Sequence, residues 1–211
     1  MDTAADEALA GLSVSSAKAE IDLLLIDNGP WQKVVQLLDR GLTTPPPLSK
    51  YASACAKAAN TALLPPRCIT TNFHAKDIFG LGQPQINEIV GKAPALITVL
   101  FTLNELYTAS ISKTTEFVLN LTACVQPGTL LLVVDSPGSY SDIGLEAKKY
   151  PMIWLLNHTL LETQKSRGQE SLPEWEKVVS DESRWFRLSE DLRYPMNLEN
   201  MRYQLHLYRR L

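Results

Sequence analysis

Asn104 and Glu105 follow directly on the apolar run Ala95–Leu103, ALITVLFTL, and Asp135 and Ser136 follow in the same way on Thr129–Val134, TLLLVV. A carboxylate accepts protons and charge-assisted hydrogen bonds, an amide both donates and accepts, and a hydroxyl does either. Such groups in equivalent places after two runs describe a polar rim able to hold a ligand and, at the acids, to move a proton. Tyr140 closes the second block, DSPGSY. Each has an ordinary reading as well. Glu105 fits the first turn of a helix, where a carboxylate meets the positive dipole end, and Asp-Ser-Pro-Gly is a common turn.

The runs that carry these residues have almost no polar alternation, which suits strands covered on both faces of a parallel α/β sheet. Ala95–Leu103 is expected to be the buried central strand. Polar groups just past the carboxyl ends of such strands stand where open α/β sheets bind ligands. Two shorter runs also end on acids: EIDLLLID closes on Asp27, and Cys68–Phe73 leads through His74 to Asp77 and Ile78. Asp27 reads equally as an Asx turn with Asn28-Gly29, and Asp77 as a helix cap.

Between these strands the helical signals are clear. A helix end is expected at Asp6–Leu12, and a helix over Pro30–Arg40, with proline in its first turn and Gly41 at its end. The loop Leu42–Leu48 contains three successive prolines and cannot be helical. Further helices are expected over Ser49–Asn60, Gln85–Val90, Ser112–Cys124 and Tyr150–Gln164, with a loop at Arg167–Glu170 and a short helix at Trp175–Val179. Arg184–Leu188 and Met201–Arg209 read as strands. The second follows too closely for a long crossover, so it should be antiparallel.

With 211 residues, 45% hydrophobic content and net charge −3, the chain is expected to form a single globular domain. No run reaches the ~20 apolar residues of a membrane span, and the first residues lack a signal-peptide pattern; an intracellular protein, nuclear, nucleolar or cytoplasmic, is expected. Cys55, Cys68 and Cys124 lack metal-ligand spacing and read as buried thiols, and His74, His158 and His206 are too dispersed for a metal site. His158, on an apolar helix, reads as a structural histidine. The acidic balance excludes a protein that coats nucleic acid by charge alone. Toward the C-terminus, however, Arg184, Arg187, Arg193, Arg202, Arg209 and Arg210 face only Glu190, Asp191 and Glu199, which is either a basic patch or a solvated strand face.

Strands alternating with helices and closing on an antiparallel pair resemble the class I S-adenosylmethionine-dependent methyltransferases. Six blocks sharpen the likeness: Thr43–Ala54, Leu100–Tyr107, Val133–Ser141, Tyr150–Leu161, Ser183–Leu188 and Glu199–Leu211. In that order they resemble the fungal large-subunit ribosomal RNA uridine-N3 methyltransferases, over nearly everything from Ile21 onward. The resemblance implies a Rossmann-like α/β sheet, mostly parallel with its last strand antiparallel, S-adenosylmethionine as cofactor, ribosomal RNA as partner, and neither a metal nor a membrane. It also implies roles: Asp27 on the cofactor ribose, Asp77 and Ile78 on the adenine, Phe101 and Thr102 bordering the adenosine pocket, and Asn104, Glu105 and Asp135 at the target base, with Ser136 and Tyr140 beside them. For Phe101 the plain alternative is core packing.

The sequence departs from the family in one respect, since nothing before Ile21 resembles the family's first strand and the glycine-rich turn that wraps the methionine end of the cofactor. The expected domain therefore spans residues 1–211 without that strand and turn, and carries a proline-containing insertion over 42–66. Three functions fit: uridine-N3 methylation, an inactive methyltransferase-like chain that only binds RNA or protein, and an oxidoreductase on the same sheet. The last gains nothing from the six blocks.

Overall fold

The computed structural model describes residues 20–65, 67–137, 142–145, 148–162, 173–191 and 194–211. The helix end expected at Asp6–Leu12, the loop Arg167–Glu170, Tyr140 and Arg193 lie outside the described residues. After Ile78 the chain divides into two compact units, each with its own sheet.

In the first unit β1 (Ile21–Asp27) runs parallel to β2 (Ile69–Ala75), in register from Ile21 opposite Ile69 to Asp27 opposite Ala75. Parallel neighbours need a crossover, and α1 (Gln32–Thr43) supplies it, with Asp39 accepting from the Thr71 hydroxyl at 3.3 Å. The helix passes the glycine at 41 that was expected to end it. What stops it is the proline run: the residue before a proline is pushed out of the helical region, and Thr44, next to Pro45, is extended with φ −121°. A second helix, α2 (Ala54–Ala58), is shorter than the expected 49–60, because the Ser53 side chain accepts from Ala56 N–H at 3.1 Å and fixes its start there.

In the second unit β3 (Leu96–Leu100), β4 (Leu130–Asp135), β8 (Met201–Arg210) and β7 (Trp175–Phe186) form a sheet in that spatial order. β3 and β4 are parallel, and β8 is antiparallel to both β4 and β7, as expected for the last strand. A separate hairpin pairs β5 (Asp142–Leu145) with β6 (Lys148–Pro151). The helices among the described residues of this unit are α3 (Gln83–Val90), α4 (Leu103–Ala109), α5 (Ile111–Cys124) and α6 (Met152–Asn157), the last running on into a π-helical turn over His158–Glu162. Between α5 and β4, Pro127-Gly128 makes the tight turn that closes with Thr129 N–H on Gln126 C=O, and Gly128 adopts φ 87°, open to glycine at little cost.

One face of this sheet is the core. Leu131, Val133 and Asp135 on β4 and Gln204, His206 and Tyr208 on β8 are buried on it, and Leu103, Tyr107, Val118, Leu121, Met152 and Leu156 of the helices are buried with them. Trp175, 1% exposed, donates its indole N–H to the Thr122 hydroxyl at 2.9 Å and ties the far strand to α5.

Two readings of the sequence are corrected here. The run Ala95–Leu103 forms a strand of five residues at an edge of its sheet, with Leu96 60% and Leu100 52% exposed, rather than a buried central strand. Apolar composition reports a preference for burial and says nothing of how many neighbours a strand has. Trp175–Val179 is strand, not helix, and Arg184–Phe186 continues it with two register shifts. The ladder to β8 overrides a segment whose own pattern is weak. Of the three cysteines only Cys124 is buried, where burial pushes its thiol pKa up; Cys55 is exposed. His158 is likewise exposed, stacked on Trp154 and 3.1 Å from the Glu162 carboxylate.

Candidate functional site

At the carboxyl end of β3 the chain turns abruptly. Phe101 takes φ 53°, in the left-handed region, while its N–H donates to Val134 C=O at 2.7 Å and the Thr102 hydroxyl donates to Leu100 C=O at 2.9 Å. A bulky residue held there stores roughly 1–3 kcal/mol of strain, a condition that clusters at functional sites. The turn delivers Leu103 into the core and starts α4, whose capping position, Thr102, makes no side-chain cap.

The cap comes from the next strand. Asp135, 3% exposed, accepts Asn104 N–H on Oδ2 at 3.1 Å and Ser136 N–H on Oδ1 at 2.8 Å. One carboxylate thus satisfies an otherwise unmet donor of α4 and fixes the end of β4. Asn104 is half-buried and Glu105 exposed beside it. Asp135, Asn104 and Glu105 are therefore brought together at one rim, with Ser136, Phe101 and Thr102 beside them.

The rim is held from behind by polar groups of β8 and β7. Gln204 donates its amide N–H to Ser136 C=O at 2.7 Å, its amide oxygen lies 3.2 Å from His206 Nε2, and Ser180 Oγ lies 2.9 Å from His206 Nδ1. With the Gln204 nitrogen committed to Ser136, its oxygen accepts from Nε2–H, and on a neutral ring Nδ1 accepts from the serine. Burial first and Lys177 second, opposed by Asp181, lower the His206 pKa from 6.5 to about 4. Beneath the same face burial pushes Tyr107 up to about 12, against the effect of a hydrogen bond with Thr159, and raises Tyr208 further, with Tyr107 adding to the rise. Tyr208 donates to Asn157 Oδ1 at 2.8 Å. Neither phenol is a base at neutral pH. No signal in the sequence had given His206, Ser180 or Gln204 a place at the rim; only the strand register does.

Asp27, Asp77 and Ile78, which the sequence led one to expect at a ribose and an adenine, follow β1 and β2 in the first unit. Asp27 is exposed and accepts Gly29 N–H at 2.7 Å, the Asx turn that the sequence offered as its alternative. A carboxylate has about four acceptor sites, so capacity remains for the two hydroxyls of a ribose. Asp77 is exposed and Ile78 half-buried after β2. The two exposed carboxylates have the chemistry to accept from ribose hydroxyls and an exocyclic amine, and Ile78 that to cover an apolar ring face. For the methionine side, the glycines nearest to a cluster among the described residues, Gly80 and Gly82, lead into α3 and do not follow a strand. Among the described residues no group of three His, Cys, Asp or Glu could hold a metal ion, and no helix is long and apolar enough to cross a membrane.

The sequence profile of a protein family described as "Putative SAM-dependent methyltransferase" matches residues 3–209. The chain is 31% identical over 195 residues to the 25S rRNA (uridine(2843)-N(3))-methyltransferase of Saccharomyces cerevisiae, covering 92% of this chain and 49% of the yeast protein. It thus spans about half the length of that relative. Among solved structures it resembles a SAM-dependent methyltransferase of Methanosarcina mazei (TM-score 0.45, 11% identity, covering 92% of this chain and 94% of that one). It also resembles TehB of Haemophilus influenzae (TM-score 0.42, 14% identity, 90% and 50%).

Proposed function

The chain belongs to a family of SAM-dependent methyltransferases, and from that premise we propose that it serves in transferring a methyl group to N3 of a uridine in large-subunit ribosomal RNA. The observation that carries this reading is the 31% identity to the yeast uridine-N3 enzyme along 92% of the chain. The rim of Asn104, Glu105 and Asp135 gives it a place to happen.

Uridine N3 carries a proton at neutral pH and lies on the pairing edge. An enzyme must therefore take the base from its stack, remove that proton and aim the freed lone pair. Bound S-adenosylmethionine supplies the electrophilic methyl group, on a sulfonium. In the first unit, Asp27, Asp77 and Ile78 are the residues proposed to hold its ribose and adenine. At the base, Asn104 orients the ring by bonding a uracil carbonyl. Glu105 is the acid proposed to accept the N3 proton, because it is exposed while both oxygens of Asp135 already accept backbone N–H groups. Asp135 then acts as a positioning residue. It holds the first turn of α4, so that Asn104 and Glu105 face the base from a fixed backbone.

The test uses the native protein purified from its source cells, tritiated S-adenosylmethionine and large-subunit RNA, followed by nucleoside analysis. Label in 3-methyluridine is expected. Label on a ribose hydroxyl or on cytosine would sink the uridine assignment, and its absence from every nucleoside would favour a chain that binds RNA without modifying it.

A further inference from the structure

We propose that Trp185, with Arg187 and Arg202, forms a stacking platform for a nucleotide of single-stranded RNA next to the target base. The proposal rests on the reading of the Asn104–Glu105–Asp135 rim as the base site. Trp185 is 50% exposed near the end of β7, and the guanidinium groups of Arg187 and Arg202 lie 5.2 and 5.6 Å from its ring centre. Arg202 also donates to the Ser183 hydroxyl. Ser183, Trp185 and Arg187 alternate along one strand and its continuation, and Arg202 stands directly opposite Trp185 on the other.

Charge singles out this end of the ribbon. At the opposite end the two arginines of β8 are neutralised, Arg209 by Glu176 and Arg210 by Glu174. Arg187 and Arg202 have no ion-pair partner among the described residues, and the nearby Asp181 carboxylate accepts Ser183 N–H at 3.0 Å. An exposed indole with two uncompensated guanidinium groups matches what single-stranded nucleic acid needs. A base stacks on aromatic or guanidinium planes, and the same guanidinium N–H groups bind phosphate.

Strand register brings the platform to the rim. Gln204 is opposite Asp135, and β8 runs antiparallel to β4, so Arg202 lies two residues, roughly 7 Å, beyond the end of β4 on the same sheet face. Trp185 is one strand further, about 5 Å to the side. A strand of RNA whose target base reaches Asn104 and Glu105 therefore passes its neighbouring nucleotide over the indole. Stacking is indifferent to base identity, so the platform contributes affinity and orientation, not sequence reading.

The test measures affinity of the full 211-residue chain for a fluorescein-labelled single-stranded oligouridine by anisotropy, with circular dichroism to confirm folding. Trp185→Ala is expected to weaken binding by roughly ten-fold or more. Removing both arginines should weaken it and reduce the slope of log affinity on log salt by about 1.4, as for two phosphate contacts to a single strand. Should Trp185→Ala not fold, Trp185→Phe serves: the quenching of tryptophan emission by oligouridine in the parent should disappear. Unchanged affinity in folded Trp185→Ala, undiminished quenching in Trp185→Phe, or duplex RNA bound as tightly as the single strand would overturn the platform. No binding of oligouridine by the parent overturns RNA as the occupant and turns this face over to a protein partner. Because the readout is affinity, a product other than 3-methyluridine defeats the proposed reaction without touching this result, and unchanged affinity defeats the platform with that reaction intact.

Discussion

Asp135 Oδ2 accepts the backbone N–H of Asn104 at 3.1 Å, across 31 residues of chain, so a strand end supplies the cap that the neighbouring helix lacks. Removing that carboxylate leaves two backbone donors to find other partners in a buried place. Asp135→Ala is expected to destabilise the chain by roughly 2–3 kcal/mol, read from urea denaturation. Asp135→Asn keeps an acceptor oxygen and should cost less. Equal stability in all three proteins would show that water replaces the carboxylate.

Glu105 tests the chemistry without testing the fold. It is exposed, so Glu105→Gln should leave the denaturation midpoint unchanged. In the native enzyme it should lower the rate of methyl transfer by ~10²–10⁴-fold, with little change in RNA affinity, as expected for loss of a general base. Full activity in the variant leaves deprotonation to solvent.

His206 makes stability depend on pH. Its folded pKa of about 4 lies below the unfolded value of 6.5, so between these values the unfolded chain binds the extra proton. The contribution of the neutral ring is complete above about pH 6.5 and is lost as pH falls toward 4, by ~3 kcal/mol in all. Urea midpoints from pH 7.5 to 4 should show this fall, and His206→Gln should flatten it. An identical fall in the variant would assign the pH dependence to carboxylates.

Among the described residues no strand leads directly into a multi-glycine turn, so calorimetry on the 211-residue chain is expected to find S-adenosylmethionine bound weakly or not at all. Micromolar affinity would contradict this. In the native protein Asp27→Asn, which keeps an acceptor for the Asx turn but loses the charge, should weaken cofactor binding by about 1–3 kcal/mol. An unchanged dissociation constant removes Asp27 from the site.

What the sequence made legible was local. The helix ending at Cys124, the acids closing β1 and β4, and the tight link that makes β8 antiparallel are all written in neighbouring residues. What it hid depends on distant partners. The short mixed segment Trp175–Val179 becomes strand because β8 lies beside it, and nothing before Phe101 announces a left-handed phenylalanine. The rim was half legible. Asn104, Glu105 and Asp135 stand out after apolar runs, whereas the hydrogen-bonded series Ser180, His206, Gln204 and Ser136 joins residues from three separate stretches. For the same reason Arg209 and Arg210, which are paired, and Arg187 and Arg202, which are stacked, are told apart only once their strands are in register.

The position of β3 bears on how the chain behaves in concentrated solution. LITVL is β-prone, uncharged and free of proline, and it lies at the edge of its sheet among the described residues. Such a segment templates cross-β pairing between molecules. Colloidal lifetime of the purified chain should therefore shorten steeply with concentration, as light scattering and thioflavin fluorescence would register. A single lysine at Thr98, a gatekeeper in the middle of the segment, should lengthen it.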